Sequence, residues 1–282
     1  GDNLLYRREV VTGDVETAFA AAHTVVERRL RFARHTGVTP EGRAMIASFD
    51  PSQSRLTLHY GGQAPHMIQV LFARHLGLEA RSVRVIAGDV GGSYGIKSHV
   101  YGDEFAAAAV SMMLARPVKY VADRLESFVS DAHARDHVVD ARMALDRDGT
   151  ITALAVDDLV AAGAYSAYPR TSAIEANQVL NITGGPYAIA NYHGRTRVAF
   201  QNKPSISQYR GVGHPIAVAV GETLIDMAAD ALGLDRFELR RRNLVPDDGY
   251  PRPAPSGVVL DDLSHQACLE KLVGLMDYDR LR

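Results

Sequence analysis

Strand-like and helix-like segments follow one another in an irregular order along this chain of 282 residues. Segments whose composition or alternation predicts strands are 24–33, 43–49, 55–60, 83–86, 118–121, 138–145, 151–160 and 192–201. Segments whose apolar spacing predicts helices are 15–22, 65–76, 103–114, 216–232 and 237–242. Because no strand–helix–strand rhythm repeats, the sequence predicts an α+β fold with mixed sheets and packed helices, rather than a doubly wound parallel sheet.

The element order predicts one large domain over residues 1–245, made of two α+β blocks at about 1–130 and 131–245. After this domain, prolines crowd into residues 246–255. Such a cluster is typical of a connection between domains. We therefore expect residues 246–282 to contain a linker and the beginning of a second domain.

Composition narrows the classes of partner and compartment. Lys and Arg together number 31 and Asp and Glu number 33, a net charge of −2, so we expect neither nucleic acid nor an anionic membrane as a partner. No apolar run approaches the ~20 residues of a membrane span. The single Cys268, which we expect to be buried on a helix face, excludes an internal disulfide and a Cys-ligated iron–sulfur cluster within this chain. The lack of disulfides favours a cytoplasmic location, and Gly1 in place of Met indicates a processed chain or an excised piece of a longer one.

A glycine-rich segment, Ala-Gly-Asp-Val-Gly-Gly-Ser-Tyr-Gly-Ile-Lys at residues 87–97, lies between a predicted strand and a predicted helix. Backbone N–H groups converge on anions at such junctions. A dinucleotide-binding loop requires another glycine spacing, with the helix beginning at the last glycine. A Walker A loop requires Gly-Lys-Ser/Thr, whereas Ile96 separates Gly95 from Lys97 here. Taken alone, this segment is most simply a tight turn.

A second loop, at residues 207–215, directly precedes the predicted helix at 216–232 and contains Arg-Gly-Val-Gly. Its Arg210 lies between a strand and a helix N-terminus, which suits contact with an anion or an oxo group. The same position equally suits an arginine that caps a carbonyl within its own loop. This loop alone leaves both interpretations open.

Together with their surroundings, the two loops resemble those of the molybdenum hydroxylases, the family of xanthine dehydrogenase, aldehyde oxidoreductase and carbon monoxide dehydrogenase large subunits. The family's Gly-Gly-Gly-Phe-Gly-x-Lys loop touches the molybdenum centre through backbone amides and is matched by residues 91–97, with Ser93 for a glycine and Tyr94 for the Phe. Its Arg-Gly-x-Gly loop is matched by residues 210–213. A family glutamine that hydrogen-bonds the oxo ligand of the metal is matched by Gln63.

Three further stretches match the family in the same order. They are Ala-Arg-Pro-Val-Lys at 115–119, Asp-Arg-Leu-Glu at 123–126, and Asp-Arg-Phe-Glu-Leu-Arg-Arg-Arg-Asn at 235–243. The resemblance covers nearly the whole chain and identifies residues 1–245 as a first molybdopterin-binding domain. It implies a set of cofactor-binding residues: Gln63, Gly92, Ser93, Tyr94, Gly95, Arg210 and Gly211.

The resemblance also implies the cofactor and the partners. The metal is held by a pterin dithiolene rather than by side chains, as molybdenum-molybdopterin, in most bacterial members the cytosine dinucleotide form. The implied reaction is hydroxylation of an electron-poor carbon with oxygen from water. Electrons leave through iron–sulfur clusters and FAD, which we expect on partner subunits beside the remaining molybdenum-binding half.

The family's general base is a glutamate far C-terminal to the Arg-Gly-x-Gly loop, so we expect no catalytic residue within this chain and no activity of the chain alone. Glu222 follows a glycine, but it lies within a predicted helix and is expected to have a structural or surface role.

Three positions of the implied substrate pocket bear on the substrate, which we expect to be small. Purine oxidases have Glu where this chain has Ser98 and an aromatic residue where it has Val212, and Gln178 falls near their substrate-binding arginine. Carbon monoxide enzymes have a cysteine where this chain has Gly211. These differences disfavour purines and carbon monoxide and leave an aldehyde or an N-heterocycle.

Two hypotheses of different class remain. The first is the molybdenum-binding part of an oxidoreductase that hydroxylates an aldehyde or N-heterocycle. The second is a scaffold or assembly protein of the same fold that binds no metal, and the substitutions at Ser93, Tyr94 and Ser98 are its best support.

Overall fold

The computed structural model describes residues 2–281 of the chain. Within these residues the strands are β1 Leu4–Thr12, β2 Thr24–Phe32, β3 His35–Thr36, β4 Ala44–Asp50, β5 Arg55–Tyr60, β6 Val83–Ile86, β7 Val118–Val121, β8 His133–Ala134, β9 His137–Leu145, β10 Ile151–Gly163, β11 Asn191–Phe200, β12 Arg252–Pro253 and β13 Val259–Leu260. The helices are α1 Val15–Ala21, α2 Pro65–Leu76, α3 Gly102–Leu114, α4 Arg124–Ser130, α5 Ile174–Ile182, α6 His214–Leu232, α7 Arg236–Asn243, α8 His265–Met276 and α9 Tyr278–Leu281. The strands and helices are mixed, as an α+β fold requires, and the predicted fold class is confirmed.

The larger sheet has five strands in the order β1-β11-β10-β9-β2. Its strands are antiparallel neighbours except for the central pair β10 and β11, which run parallel. Helix α6 packs across β2 and β9, and its buried residues Ile216, Val220 and Leu224 complete the main core with Met143 and Leu154. The sequence favours this because apolar residues recur in α6 at three- and four-residue spacing.

The smaller sheet has four strands in the order β6-β5-β4-β7 and carries α2 and α3 on one face. Leu56, Leu58, Ile68, Phe72 and Ala108 form a second core between the sheet and these helices. Helix α2 begins with a proline, whose missing N–H costs nothing there, and ends at a glycine with φ of +70°. Its predicted bounds, 65–76, are confirmed.

The two blocks do not divide the chain where the sequence predicted. Strands β1 and β2 precede the smaller sheet in sequence, yet both lie in the five-stranded sheet with β9–β11. The expected division at about 1–130 and 131–245 is therefore wrong for the first 32 residues. Strand β1, which was not predicted, is an edge strand, and its half-exposed residues lack the apolar run that marks a buried strand.

The segment after the first domain is more than a bare linker. Its β12 and β13 pair with each other, the Ser256 hydroxyl donates to the Asn181 carbonyl over 2.6 Å, and the Thr12 hydroxyl donates to the Pro255 carbonyl over 2.8 Å. Cys268 on α8 is exposed, contrary to expectation, because α8 buries none of its residues. Among residues 2–281, no helix combines the length and the hydropathy needed to cross a membrane.

Candidate cofactor-binding site

The glycine-rich segment forms a loop between β6 and a 3-10 turn at Ile96–Ser98. Its backbone takes the left-handed region at Gly92 (φ +98°), Tyr94 (φ +52°) and Gly95 (φ +109°). In the part of the chain that the structure describes, the N–H groups of Ser93, Tyr94 and Gly95 have no acceptor. Successive unpaired N–H groups in such a conformation form a concave binding site for electron-rich atoms.

Glu41 holds the base of this loop. Its carboxylate accepts from the Gly91 N–H over 2.9 Å and from Lys97 Nζ over 2.8 Å, and its own N–H donates to the Gly91 carbonyl over 3.1 Å. The Lys97 side chain is only 1% exposed, so this ion pair satisfies a buried cation. The hydrogen bond from Lys97, followed by that from Gly91, lowers the pKa of the Glu41 carboxyl. No local motif marks Glu41, which lies 56 positions from Lys97 in the sequence.

Gln63 lies against the glycine loop. Its side-chain Oε1 accepts a short hydrogen bond from the Ser93 hydroxyl, and its N–H donates to the Lys97 carbonyl over 3.1 Å. The side chain is exposed, and among residues 2–281 nothing accepts from its Nε2 group. Gln63 therefore offers a fixed, free amide donor beside the three unpaired backbone N–H groups.

The arginine loop packs directly on the glycine loop. The Arg210 N–H donates to the Tyr94 carbonyl over 2.8 Å, and the Arg210 guanidinium lies 4.7 Å from the centre of the Tyr94 ring. A Cβ atom on Gly95 would lie 2.6 Å from the Gln208 carbonyl oxygen, so only glycine permits this approach. The structure thus brings both loops and Gln63 into one site, although the loops are more than 100 residues apart.

Further unpaired donors come from the arginine loop. No described residue accepts from the N–H groups of Gly211 or Gly213, or from the Arg210 guanidinium. Gly213 is the N-cap of α6 and has φ of +83°. The positive end of the helix dipole therefore adds to the positive potential of this loop.

The three expected substrate-pocket residues differ in placement. Val212 is half-buried within the arginine loop, and its N–H donates to the Tyr209 carbonyl over 2.8 Å. Gln178 on α5 lies behind the loop, because a Cβ on Gly213 would lie 2.9 Å from its Cβ. Ser98 is 3% exposed on the 3-10 turn, so its side chain is packed inside the described chain.

Glu222 has the structural role expected of it. It lies on α6 and accepts from the Tyr187 hydroxyl over 2.9 Å and from Arg240 Nε over 2.8 Å. A carboxylate held by two donors on a helix–helix contact is part of the packing of α6 on α7.

The donor set of the site fits a molybdopterin. Such a cofactor presents oxo and phosphate oxygens that accept hydrogen bonds, and the site offers N–H groups, an amide and a guanidinium with no acceptors of their own. A dithiolene-held metal needs no side-chain ligand. Gln63, the 93–95 amides, Arg210 and Gly211 are the groups that would hold it.

Comparison with known proteins places this geometry in a family. A sequence model described as the molybdopterin cofactor-binding domain matches residues 1–244. The nicotine 6-hydroxylase large subunit of Paenarthrobacter nicotinovorans is 32% identical over 98% of this chain, and the carbon monoxide dehydrogenase large chain of Hydrogenophaga pseudoflava is 30% identical over 95%. The matches cover 34% and 33% of those proteins, so the chain spans about a third of their length.

A solved structure gives the same result. Quinoline 2-oxidoreductase from Pseudomonas putida 86 superposes with a TM-score of 0.96 at 28% identity, over 99% of this chain and 36% of that one. The resemblance found in the sequence is thereby confirmed. The chain belongs to the family of molybdopterin cofactor-binding domains found in molybdenum hydroxylase large subunits.

Proposed function

We propose that the chain is the first molybdopterin-binding part of an oxidoreductase that hydroxylates an N-heterocycle or an aldehyde with oxygen derived from water. The observation behind this proposal is that Gln63 Nε2, the N–H groups of residues 93–95, the Gly211 N–H and the Arg210 guanidinium lie in the same pair of packed loops, and none of these donors has an acceptor among residues 2–281. When bound, the cofactor supplies the molybdenum centre at which substrate is oxidised by two electrons.

The chain's own residues bind and orient the cofactor. The three glycine-loop amides and Gln63 Nε2 provide hydrogen-bond donors, and Arg210 provides positive charge. Glu41 keeps the loop in place because its carboxylate binds both the Lys97 ammonium and the Gly91 N–H. Fixed donors of this kind need no reorganisation when charge develops on an oxygen atom.

The substrate class is inferred from the pocket positions and from relatives. Val212 lies within the arginine loop and Gln178 packs against it, and neither is charged or aromatic, which disfavours a purine. Gly211 in place of a cysteine disfavours carbon monoxide. Two of the relatives reported above are named for oxidation of nicotine and quinoline, both N-heterocycles.

The finer assignments belong to the same proposal. The cofactor is inferred to be the cytosine dinucleotide form. The partners are inferred to be the remaining molybdenum-binding half, with the catalytic glutamate, and cytoplasmic iron–sulfur and FAD subunits. The isolated chain is therefore expected to be inactive.

The metal-free scaffold is the weaker alternative. Its support came from the substitutions at Ser93, Tyr94 and Ser98. Ser93 instead adds a hydrogen bond to Gln63 that a glycine could not make, and Tyr94 keeps an aromatic ring under the Arg210 guanidinium, so neither substitution disrupts the cofactor-binding arrangement.

Metal and pterin analysis tests the proposal on the protein co-purified with its natural partner chains from cells proven to make the cofactor. Near-stoichiometric molybdenum, with CMP released by acid, supports the hydroxylase and is followed by assays with nicotine, quinoline and aldehydes. A complex that contains no molybdenum contradicts the proposal and favours the scaffold.

A further inference from the structure

A buried ion pair lies directly behind the arginine loop. Arg135, at the junction of β8 and β9, makes a short contact through Nη1 with Oε1 of Glu175 in the first turn of α5. The Arg135 N–H donates to the other oxygen of the same carboxylate over 2.8 Å. Both side chains are withdrawn from solvent, Arg135 at 6% and Glu175 at 1% exposure.

The same guanidinium reaches the cofactor-binding site. Its Nη2 donates to the Arg210 carbonyl over 3.0 Å, and its carbon lies 5.4 Å from the centre of the Tyr209 ring. The backbone of Arg210 is therefore held at two points. Its carbonyl accepts from Arg135, and its N–H donates to the Tyr94 carbonyl in the glycine loop. The α5 helix reinforces the position, because the Glu175 carbonyl leaves no room for a Cβ on Gly213.

The backbone at Arg135 is strained to allow these contacts. Arg135 (φ +66°) and Asp136 (φ +70°) are consecutive non-glycine residues in the left-handed region. Such strain persists only where the surroundings impose it, and it is concentrated at functional sites. Behind Glu175, the buried His137 donates through Nδ1 to Asp158 over 2.8 Å, and its Nε2 lies 3.8 Å from the Glu175 carboxylate.

We infer that Arg135, held by Glu175, is a positioning residue that sets where the Arg210–Gly211 backbone and the Arg210 side chain meet the bound cofactor. This inference rests on the proposed function. Arg135 touches no cofactor itself; it acts through the Arg210 carbonyl. The rigid fork of an arginine can serve a carboxylate and a carbonyl together, whereas a lysine ammonium cannot reproduce that geometry.

The experiment uses the full-length enzyme with its partner subunits and three variants. Arg135→Lys keeps the charge beside Glu175 but loses the fork. The double variant Arg135→Met/Glu175→Gln removes both charges, so no buried ion is left unpaired. Arg34→Lys is the matched control, because Arg34 also joins a carboxylate to a carbonyl, Asp136 over 2.9 Å and Ala161 over 2.9 Å, at the same strand junction but away from the two loops.

Molybdenum content, the electron paramagnetic resonance spectrum of Mo(V), kcat and KM are measured for each protein. The inference predicts that both Arg135 variants fold, show a changed Mo(V) spectrum and lose kcat by about 10- to 100-fold with little change in KM. Arg34→Lys is expected to keep the wild-type Mo(V) spectrum, even if its melting temperature falls by as much as that of the Arg135 variants.

Three results would contradict the inference, and they can be told apart. Arg135 variants with wild-type spectrum and kcat overturn the inference while leaving the proposed function intact. Arg135 variants recovered only as misfolded protein also overturn it, because they assign the pair a purely structural role. Wild-type complex without molybdenum overturns the proposed function and the inference with it.

Discussion

The Arg210 N–H donates to the Tyr94 carbonyl over 2.8 Å, and this single hydrogen bond joins the two loops of the cofactor site. The Arg210 guanidinium turns back over the Tyr94 ring at 4.7 Å, so main chain and side chain make the same connection. The pairing leaves the N–H of Tyr94 free while its carbonyl is occupied. Tyr94 therefore uses its carbonyl to bind the neighbouring loop and keeps its N–H available as a donor.

Gly95→Ala is expected to separate the loops. The new Cβ would lie 2.6 Å from the Gln208 carbonyl oxygen at a φ of +109°. Molybdenum content of the full-length enzyme should fall by about tenfold or more. Gly185→Ala is the matched control, because Gly185 also has a positive φ, +50°, but no atom within 4 Å of the added Cβ. Equal molybdenum content in the two variants would contradict the close packing of the loops.

Gln63→Glu is expected to spare the fold and impair the site. The new carboxylate still accepts from Ser93, but the free amide donor becomes a negatively charged acceptor that repels oxo and phosphate oxygens. We expect kcat to fall by about 10- to 100-fold at an unchanged melting temperature. Gln53→Glu, in an exposed turn of the same block, is the control for added charge. Full activity of the Gln63→Glu enzyme would contradict the assignment of Gln63 to the cofactor-binding site.

Arg43→Met is expected to lower the free energy of unfolding of the block that contains Glu41. Arg43 is 1% exposed and is bound by three acidic residues, Asp103 at 2.8 Å, Asp131 at 2.6 Å and Glu104 at 3.2 Å. Removing this cation leaves buried carboxylates uncompensated, at a cost of about 3–5 kcal/mol. Arg29→Met, which breaks an exposed pair with Asp140, should lower the free energy of unfolding far less. Chemical unfolding of both variants measures the difference, and similar losses would contradict the burial of Arg43.

Glu104 is expected to make stability depend on pH. Burial, against the opposing effect of Arg43, raises the pKa of its carboxyl from 4.5 to about 7. The folded chain then binds this proton more tightly than the unfolded chain, so its contribution is complete below about pH 4.5 and is lost as the pH rises through about 7. Glu104→Gln should therefore lose less unfolding free energy between about pH 5 and about pH 8 than wild type. An unchanged slope in Glu104→Gln would refute the assignment.

Local patterns predicted much of the fold and the placement of the site. Helix α2 was predicted residue for residue from the spacing of its apolar residues, and in the structure a proline begins it and a glycine follows its last residue. Gln63 and the two loops were found through their motifs, and in the structure they contact one another. The spacing of the motifs does not show that the two loops contact each other. That expectation came from the family resemblance, in which both loops approach the same metal centre.

There is a physical reason why the residues that support the two loops could not be predicted from the sequence. The family motif includes Lys97, but no residue pattern near Glu41 indicates that its carboxylate forms an ion pair with Lys97. Arg135 and Glu175 are 40 residues apart and meet only after β10 has crossed the larger sheet. The membership of β1 and β2 in that sheet was missed likewise, because strand pairing over such distances leaves no periodic trace in the sequence.

The most direct test is an experimental structure of the full-length complex with its cofactor bound. The account predicts the molybdenum centre beside the amides of Ser93–Gly95, with Gln63 Nε2 and the Arg210 loop within hydrogen-bonding distance of its oxygen ligands. A molybdenum centre bound elsewhere, with these donors turned to solvent or paired with protein, would contradict it.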